Sequence, residues 1–256
     1  MKSFKDKVVV ITGAGSGIGR ELAVQCAQLG AHLAIADIRE DSLQETARLL
    51  SGRVSTHIVD VSRREQVYQF TEDVIQQHGQ VDVVINNAGV SLSDAEVKDI
   101  SYEEIEWVLG INLWGVIHGT KAFLPILLKR PEAHIVNVAS VLALVGMANL
   151  APYSASKFAV RGFTDALRKE LSKTNIGVTI VYPGSIKTNI ARHARIVRDA
   201  NASLWDQTAT MFEATARTSA AKAAKLIIKG IQKNAPRVLV GPGAHWLNLI
   251  ARITPA

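Results

Sequence analysis

Two hydrophobic patterns alternate along the chain: short apolar runs rich in β-branched residues, and longer segments in which apolar residues recur every three or four positions. The first pattern predicts strands and the second predicts amphipathic helices. The strand predictions cover residues 8–12, 32–37, 54–60, 81–86, 134–139, 178–182 and 237–240. Most of these runs are apolar throughout, which is typical of parallel strands that helices cover on both faces.

Repeated alternation of strand and helix implies right-handed crossovers and a parallel, doubly wound sheet. Seven such strands fit one α/β domain over residues 1–256, with no linker or repeat to divide it. Only the stretch from 184 to 219 has no predicted strand between long elements. Because a loop of that length inside a compact domain is usually functional, we expect a substrate lid there.

Polar residues and glycine mark several predicted helix ends. Ser62 and Ser101 are each followed three positions later by a glutamate, Glu65 and Glu104, which is the pattern of a capping box. Gly30 stands where the first helix should stop, as glycine often does just after a helix.

Composition narrows the class of protein. Hydrophobic residues make up 48% of the chain and charged residues 20%, the balance of a folded globular protein. The single cysteine, Cys26, cannot form an intrachain disulfide, and no Cys/His cluster has the spacing of a metal site. The N-terminal apolar run is too short for a signal peptide, and residues 135–151 fall short of a membrane span. We therefore expect a cytoplasmic protein without stable membrane insertion.

The formal net charge of +6 raises the alternative of a nucleic-acid-binding protein. The basic residues are dispersed, however. Lys222, Lys225, Lys229 and Lys233 recur at helical spacing, as on a solvated helix face, and no aromatic residues interleave with them to stack on bases. We expect no nucleic-acid partner.

A glycine-rich stretch follows the first predicted strand, with Gly13, Gly17 and Gly19 in a Gly-x-x-x-Gly-x-Gly pattern just before a helix. Glycines let a backbone turn sharply and approach a pyrophosphate closely, and a helix N-terminus offers free N–H groups to it. The spacing differs from both G-x-G-x-x-G and the P-loop. The alternative is a tight turn that binds no ligand.

An acidic residue at the end of the second predicted strand makes the nucleotide site more specific. Asp37 lies 18 residues after Gly19, where a carboxylate can accept both ribose hydroxyls of an adenosine. The alternative is an aspartate that only caps a turn. Two such features in one region favour the nucleotide site.

Tyr153 and Lys157 form a Tyr-x-x-x-Lys pattern at the start of a predicted helix, and this spacing places both side chains on one face. A neighbouring ammonium favours the phenolate, which makes tyrosine a usable base. Ser140 follows the fifth predicted strand at the carboxyl edge of the sheet, where open α/β sheets bind ligands. Its hydroxyl could hold a substrate oxygen against the phenol of Tyr153. The alternative is that Tyr153 and Lys157 are ordinary surface residues of a helix, as an isolated Tyr-x-x-x-Lys pair usually is.

The ordered motifs resemble those of the short-chain dehydrogenase/reductase family over residues 7 to about 190. They are TGAGSGIG at 12–19, Asn86-Asn87-Ala88-Gly89, Asn112, Ser140, Tyr153, Lys157, and Pro183-Gly184 with Thr188. The resemblance implies a Rossmann fold and an oxidoreductase that transfers a hydride between a nicotinamide cofactor and a carbonyl or secondary alcohol.

The resemblance also implies roles for individual residues. Tyr153 would be the general acid/base, Lys157 would bind the nicotinamide ribose and lower the Tyr153 pKa, Ser140 would orient the substrate carbonyl, and Asn112 would hold a relay water. The cofactor would contact Gly13, Ser16, Gly17, Ile18, Gly19, Asp37, Asp60, Val61, Asn86, Ala88, Gly89, Tyr153, Lys157, Pro183, Gly184, Ile186 and Thr188. No metal is expected.

The cofactor is expected to be NAD. Family members that use NADP usually carry a basic residue in the glycine-rich loop or just after the second strand. Here Ser16 occupies the loop position, and the Asp37 carboxylate would repel a 2′-phosphate. Arg39 is the one feature that favours the alternative, an NADP-preferring ketone reductase.

The substrate is expected to be a hydrophobic alcohol or ketone. It would also carry an anionic group if the arginines of the lid bind one. Apolar residues follow Ser140: Val141, Leu142, Leu144, Val145, Met147 and Leu150. The lid would add Trp205, Met211 and Phe212, with Arg192, Arg195 and Arg198 in its first half. These apolar residues could instead be core.

The resemblance implies a homodimer or homotetramer that pairs through the helices of Asn112 and Tyr153. The apolar stretch 245–253 would form a subunit interface or a pocket wall, with membrane contact as the minor alternative. From another functional class, the chain could be a dinucleotide-sensing regulator without turnover. Such relatives typically lose Tyr or Lys of the catalytic pair, and this chain keeps both.

Overall fold

The structure is a computed structural model that describes residues 1–188, 190–197, 210, 214 and 216–253. Within these residues, seven strands form one parallel sheet in the order β3-β2-β1-β4-β5-β6-β9. They are β1 Val8–Thr12, β2 His32–Asp37, β3 Val54–Ile58, β4 Val83–Asn86, β5 Ala133–Val138, β6 Ile176–Pro183 and β9 Arg237–Val240. A second, two-stranded parallel sheet pairs β7 Ile186–Lys187 with β8 Thr218–Ser219. This order is that of a doubly wound Rossmann fold, which confirms the predicted class.

Helices connect the strands and cover both faces of the sheet. They are α1 Gly17–Gln28, α2 Glu40–Ala47, α3 Arg64–His78, α4 Tyr102–Leu109, α5 Gly115–Leu127, α6 Ala151–Glu170, α7 Ala220–Gln232 and α8 Pro242–Ile253, and a π-helical turn, Gly110–Trp114, joins α4 to α5. None of the helices in the described ranges is long and apolar enough to cross a membrane.

The core lies on the two faces of the sheet, as the apolar strand runs predict. Val9 and Ile11 of β1 pack into the layer beneath α1 and α7, whereas Val8 and Val10 pack into the layer beneath α3 and α5. Both layers exclude water almost completely, because the side chains of β1 are at most 1% exposed at these four positions. Strands buried on both faces keep no polar side, which explains why the runs do not alternate.

The strand order reverses between β1 and β4, so the crossovers leave a crevice at the carboxyl ends of these two strands. The loops after β1, β4 and β5 all open at this edge. Ligands of open α/β sheets bind at this position. The fold therefore brings the glycine-rich loop and the Tyr153 helix to one place.

Four predicted strand boundaries differ from the observed ones. β3 stops at Ile58 because its partner Asp37 is the last residue of β2; the N–H of Val59 still donates to the carbonyl of Asp37, but the strand pairing continues no further. β4 starts only at Val83, where its pairing with β1 and β5 begins; Asp82 just before it makes backbone hydrogen bonds to Val8 and His134, and its carboxylate also accepts the N–H of Val8 at 2.9 Å. β5 is shifted by one residue to Ala133–Val138, where it pairs with Ile176–Val181, and β6 extends to Ile176–Pro183 because it pairs with both β5 and β9.

One predicted helix cap is confirmed and one is wrong. Ser101 and Glu104 form a full capping box at the start of α4. Ser62 does not cap α3, which begins after Arg63. The reason is Asp60: its Oδ1 accepts both the N–H and the hydroxyl of Ser62, at 2.9 and 2.7 Å.

Gly30 ends α1 as predicted. Its φ angle is +81°, in the region that favours glycine. The N–H of Gly30 donates to the carbonyl of Ala27, and that of Ala31 donates to the carbonyl of Cys26. This pair of hydrogen bonds is a Schellman motif, which satisfies the last carbonyls of the helix.

The expectation of no strand between 184 and 219 is corrected by β7 and β8, which pair across this segment. Ile186 pairs with Thr218 and Lys187 with Ser219, so the two ends of the segment lie side by side. Arg198, Trp205, Met211 and Phe212 lie outside the described residues. A substrate lid over 184–219 stays a prediction.

Several histidines are buried in hydrogen-bonded positions away from the carboxyl edge. His134, which is 1% exposed, lies with Nε2 2.8 Å from the Thr179 hydroxyl, and that hydroxyl donates to the carbonyl of Ala235. Burial, with the N-terminal ammonium as a second cause, lowers the pKa of His134 to about 3. Burial also lowers the pKa of His78, near Ser55, to about 4.

These pKa values predict that acid destabilises the fold. The folded chain keeps His134 neutral, whereas the unfolded chain takes up a proton near pH 6.5, so stability falls as the pH drops from 6.5 towards 3. His134 alone should cost about 1.4 kcal/mol per pH unit in this window. We expect the free energy of unfolding, measured with guanidinium at pH 6.5 and 5, to fall less steeply in His134→Gln than in the wild type. Equal slopes would show that His134 is not held neutral.

Candidate active site

The glycine-rich loop is packed so closely that side chains cannot fit at two of its glycines. A Cβ atom on Gly13 would lie 2.7 Å from the Cα of Ala88, and one on Gly19 would lie 2.1 Å from the carbonyl oxygen of Gly13. Gly13 and Gly17 also have positive φ angles, +65° and +55°. The loop therefore needs glycine for both space and backbone conformation.

The N-terminus of α1 is left uncapped by protein side chains. Ser16 is the N-cap residue, with an extended backbone, but its side chain makes no capping hydrogen bond. No acidic residue occupies the first turn. The backbone N–H groups and the positive end of the helix dipole are thus arranged as in anion sites of other proteins, and Ser16, Gly17, Ile18 and Gly19 fit a pyrophosphate.

Hydrogen bonds from the end of β4 fix the loop in place. The side-chain amide of Asn87 donates to the carbonyls of Thr12 and Gly13 at 3.0 and 3.1 Å. The Thr12 hydroxyl accepts the N–H groups of Asn87 and Ala88 at 3.1 and 3.2 Å. Ala88 thereby lies directly against Gly13, and the two predicted cofactor segments form one surface.

Asp37 lies at the edge of this loop, where the sequence predicts a ribose contact. Its Oδ2 accepts the N–H of Gly15 at 2.8 Å, and its Oδ1 accepts the N–H of Arg39 at 3.0 Å. The Arg39 side chain turns back over the loop, with Nη2 3.5 Å from the Ser16 hydroxyl. Both the carboxylate and the guanidinium therefore lie beside the predicted adenosine position.

The other predicted cofactor residues lie along the same edge. Asp60 and Val61 follow β3, and the carbonyl of Val61 is 3.0 Å from Nδ1 of His118 on α5. Thr188 contacts the glycine-rich loop, because a Cβ on Gly17 would lie 3.1 Å from its methyl group. Pro183 ends β6, the N–H of Gly184 donates to the carbonyl of Val240, and Ile186 is buried in β7.

Asn86 is placed differently from the other predicted cofactor residues. It is 2% exposed, and its amide donates to Oδ1 of Asn137 at 2.9 Å and to the Thr120 hydroxyl at 3.3 Å. A Cβ on Gly119 would lie 2.2 Å from its Oδ1. The side chain of Asn86 thus ties β4 to β5 and α5 inside the sheet, and the loop surface is formed by the residues that follow it.

Tyr153, Lys157 and Ser140 come together as predicted, although Ser140 lies two residues beyond the end of β5. The hydroxyl of Ser140 accepts the N–H of Leu142 at 3.1 Å and lies close enough to the Tyr153 phenol to lower its pKa. The ammonium of Lys157 lies 5.7 Å from the centre of the Tyr153 ring. Both side chains project from the first turns of α6 on one face.

Burial dominates the electrostatics of this trio. Lys157 is 3% exposed, and its ammonium donates to the carbonyl of Val138 at 3.2 Å. Burial lowers the pKa of Lys157 to about 8. Burial raises the pKa of the Tyr153 phenol, while the hydrogen bond from Ser140 lowers it. The polypeptide alone therefore keeps Tyr153 protonated at neutral pH.

Asn112 occupies the π-helical turn between α4 and α5, which the sequence pattern did not predict. Its amide accepts the N–H of Val90 at 2.8 Å, donates to the carbonyl of Val90 at 3.0 Å and donates to the Ser156 hydroxyl at 3.1 Å. A Cβ on Gly89 would lie 3.2 Å from Oδ1 of Asn112 and 3.3 Å from the Lys157 ammonium. Asn112, Gly89 and Lys157 therefore meet, as expected; the relay water stays a prediction. Ser156 had no sequence signal beyond its place beside Lys157.

The apolar stretch after Ser140 divides between core and surface. Ala143 and Leu144 pack with Val160 and Tyr182 in a buried cluster, which is the alternative role considered for this stretch. Met147 is 56% exposed, and Val145 and Leu150 are half-buried. These three residues, with the half-buried Val141, are the described members of the stretch that remain available to line a substrate cleft.

The fold and the site together define a dinucleotide-binding oxidoreductase. The sequence profile described as "short chain dehydrogenase" matches residues 7–198. The chain is similar to SadH of Mycobacterium tuberculosis, a protein named as a candidate oxidoreductase. The two are 40% identical over 99% of this chain and 92% of SadH. The chain belongs to the short-chain dehydrogenase/reductase family.

Solved structures agree with this assignment. A short-chain dehydrogenase/reductase from Burkholderia phymatum, in complex with NAD, has a TM-score of 0.90 and 31% identity over 98% of this chain and 94% of its own. A 3-ketoacyl-(acyl-carrier-protein) reductase from Brucella melitensis, complexed with NADH, has a TM-score of 0.82 and 26% identity over 94% and 99%. The protein is thus an oxidoreductase of a family whose members typically transfer hydride with a nicotinamide cofactor.

The close packing of the loop generates a test. Gly19→Ala should push the new methyl group into the Gly13 carbonyl, open the loop and weaken NADH binding by at least about tenfold, since the overlap involves backbone that cannot yield cheaply. Gly162→Ala is the matched control, because this exposed glycine of α6 has no atom within 4 Å of its Cβ position. Binding is measured by NADH fluorescence. Equal affinity in Gly19→Ala and the control would contradict the loop assignment.

Proposed function

We propose that the chain interconverts a hydrophobic secondary alcohol and its ketone, with NAD preferred over NADP. The observation that carries the proposal is the meeting of three side chains: the Tyr153 phenol lies beside the Ser140 hydroxyl, and the buried Lys157 ammonium lies 5.7 Å from the centre of the Tyr153 ring. This is the arrangement needed to move one proton on and off a substrate oxygen. Bound at the glycine-rich loop and Asp37, a nicotinamide cofactor would supply or accept the hydride.

In this proposal Ser140 and Tyr153 hold the substrate oxygen between their hydroxyls. Ser140 orients the oxygen by hydrogen bonding, and Tyr153 gives its proton to that oxygen during reduction or takes it during oxidation. Because partial burial raises the pKa of the phenol, its proton is held until a nearby positive charge favours the phenolate. An oxidised nicotinamide bound beside Lys157 would supply that charge, and the Lys157 ammonium can bind the ribose hydroxyls.

Lys157 and Asn112 are proposed to keep the proton path open towards solvent. The lowered pKa of Lys157 means that its ammonium loses a proton more easily than an exposed lysine does. Asn112 and Gly89 lie next to that ammonium, where a relay water would bind. This role for Asn112 rests on position, because its side-chain amide is already hydrogen-bonded to Val90 and Ser156.

NAD is favoured by the Asp37 carboxylate, which lies beside the loop and retains lone pairs for the 2′- and 3′-hydroxyls of an adenosine ribose. A 2′-phosphate would meet like charge there. The guanidinium of Arg39, near Ser16, supports the second candidate, an NADP-using ketone reductase. The relatives crystallised with NAD and with NADH support a nicotinamide cofactor at this site.

A hydrophobic substrate is supported by Val145, Met147 and Leu150, which lie between Ser140 and the Tyr153 helix and are not fully buried. A homodimer or homotetramer is supported by exposed aromatic side chains on the helices of Asn112 and Tyr153. Tyr102 is 82%, Trp114 51% and Phe158 40% exposed. Such a surface favours burial against a second copy. We further propose a cytoplasmic location.

The proposal predicts that kcat/KM for NAD-dependent oxidation of secondary alcohols rises with the length of the alcohol chain, because each buried methylene is worth at most about 0.8 kcal/mol.

Tyr153→Phe should lower kcat by at least about a hundredfold while NADH binds with near-normal affinity, since only the transferable proton is lost. The measurement is absorbance at the reduced-nicotinamide band, with NAD and NADP in parallel. Turnover that survives in Tyr153→Phe, or a preference for polyols, would contradict the proposal.

A further inference from the structure

The Arg39 side chain contacts a residue from a distant part of the chain, His193. Nη1 of Arg39 lies 3.2 Å from both Nδ1 and Nε2 of the His193 ring. A nitrogen equally far from both ring nitrogens is in contact with the imidazole as a whole rather than hydrogen-bonded to one of them. The other terminal nitrogen, Nη2, lies 3.5 Å from the Ser16 hydroxyl. The guanidinium is therefore held between His193 and the glycine-rich loop.

This position is the one at which the two cofactors differ. Ser16 is the N-cap residue of α1 and Asp37 ends β2, and together they frame the place that an adenosine ribose takes in dinucleotide-binding folds. A guanidinium beside Ser16 would then lie near the 2′-hydroxyl of a ribose bound by Asp37. Arginine pairs with phosphate through its planar fork of N–H donors, so a fixed guanidinium there favours a 2′-phosphate.

The segment that carries His193 is itself held in place by hydrogen bonds and side-chain packing. Two residues further on, Arg195 accepts the N–H of Ser93 at 2.9 Å and donates its own N–H to the carbonyl of Ser91 at 3.1 Å. The Arg195 guanidinium stacks on Trp107, 3.9 Å from the ring centre. Val197 is 1% exposed and donates its N–H to the Ser93 hydroxyl. The His193 ring is thus presented to Arg39 by a segment fixed to residues 91–93, which follow β4.

The charges at this contact suit stacking. Burial first, and the Arg39 charge second, lower the pKa of His193, while Asp37 raises it. The ring is therefore neutral at pH 7 and can lie against a cation without repulsion. Asp37 also accepts the backbone N–H of Arg39, which fixes the start of that side chain.

We propose that His193 is a positioning residue for cofactor selection: its ring holds the Arg39 guanidinium beside Ser16, so that the chain accepts NADP as a second cofactor despite Asp37. The inference rests on the proposed function only in requiring a dinucleotide at this site. It assigns to the segment 190–197 a part in choosing the cofactor in addition to any contact with substrate.

Equilibrium binding of NADH and NADPH, followed by nicotinamide fluorescence, tests the proposal without turnover. His193→Ala should weaken NADPH about fivefold or more and NADH less than about twofold, because only the 2′-phosphate uses the guanidinium. Arg39→Ala should weaken NADPH further. The double variant should bind NADPH no more weakly than Arg39→Ala, since His193 acts through Arg39.

His193→Phe is the matched control, because it keeps a ring to stack on Arg39 and removes the imidazole nitrogens. It should retain NADPH affinity within about twofold of the wild type. Equal loss of both cofactors in His193→Ala, additive losses in the double variant, or a His193→Phe variant as weak as His193→Ala would each overturn the inference. A wild-type chain that binds neither cofactor would instead refute the proposed function, and this inference with it.

Discussion

Hydrogen bonds among buried polar side chains tie the carboxyl ends of β1, β4 and β5 to one another. Asn87 and Thr12 hold the glycine-rich loop against β4, and Asn86 joins β4 to Asn137 of β5. Asn137 in turn donates to the Thr164 hydroxyl on α6, at 3.0 Å. Buried amides are costly unless they are paired, so this network permits one relative placement of the three strand ends. The cofactor loop and the Tyr153 helix owe their relative positions to it.

The chemistry of the site follows from the burial that this arrangement imposes. The Lys157 ammonium on α6 donates to the carbonyl of Val138 at the end of β5, and the side chain is almost completely buried there. A charged group in such surroundings releases its proton more readily, and a phenol in them holds its proton more tightly. The free protein therefore keeps Tyr153 protonated, and the lysine beside it has a lowered pKa. A positive group that enters the crevice would change this balance.

Much of the fold could be predicted because its causes are local. Continuous apolar runs identify strands covered on both faces, and Gly13, Gly17 and Gly19 reveal a loop that has no room for side chains. The pair Tyr153 and Lys157 follows from helical spacing alone. Strand ends were less predictable, because pairing with a neighbour determines them, as the stop at Ile58 shows.

Features that depend on contacts between distant segments could not be predicted. The prediction of a Ser62 cap was wrong because the Ser62 side chain donates to Asp60 instead of accepting from the helix. The sequence does not show which of these two hydrogen bonds is the more stable. The π-helical turn at Asn112 and the contact between Arg39 and His193 join parts of the chain that no periodicity relates. The pKa of Tyr153 was expected to fall beside Lys157, yet burial raises it in the polypeptide alone. That shift would have to come with cofactor binding.

The ionisation of Tyr153 tests this account most directly. Ultraviolet difference spectra near the tyrosinate band, recorded against pH for the wild type and Tyr153→Phe, isolate one phenol from the other three tyrosines of the chain. The account predicts that Tyr153 ionises above its ordinary pKa of about 10 in the free protein and at a clearly lower pH with NAD bound. A Tyr153 titration at the same pH with and without NAD would contradict it.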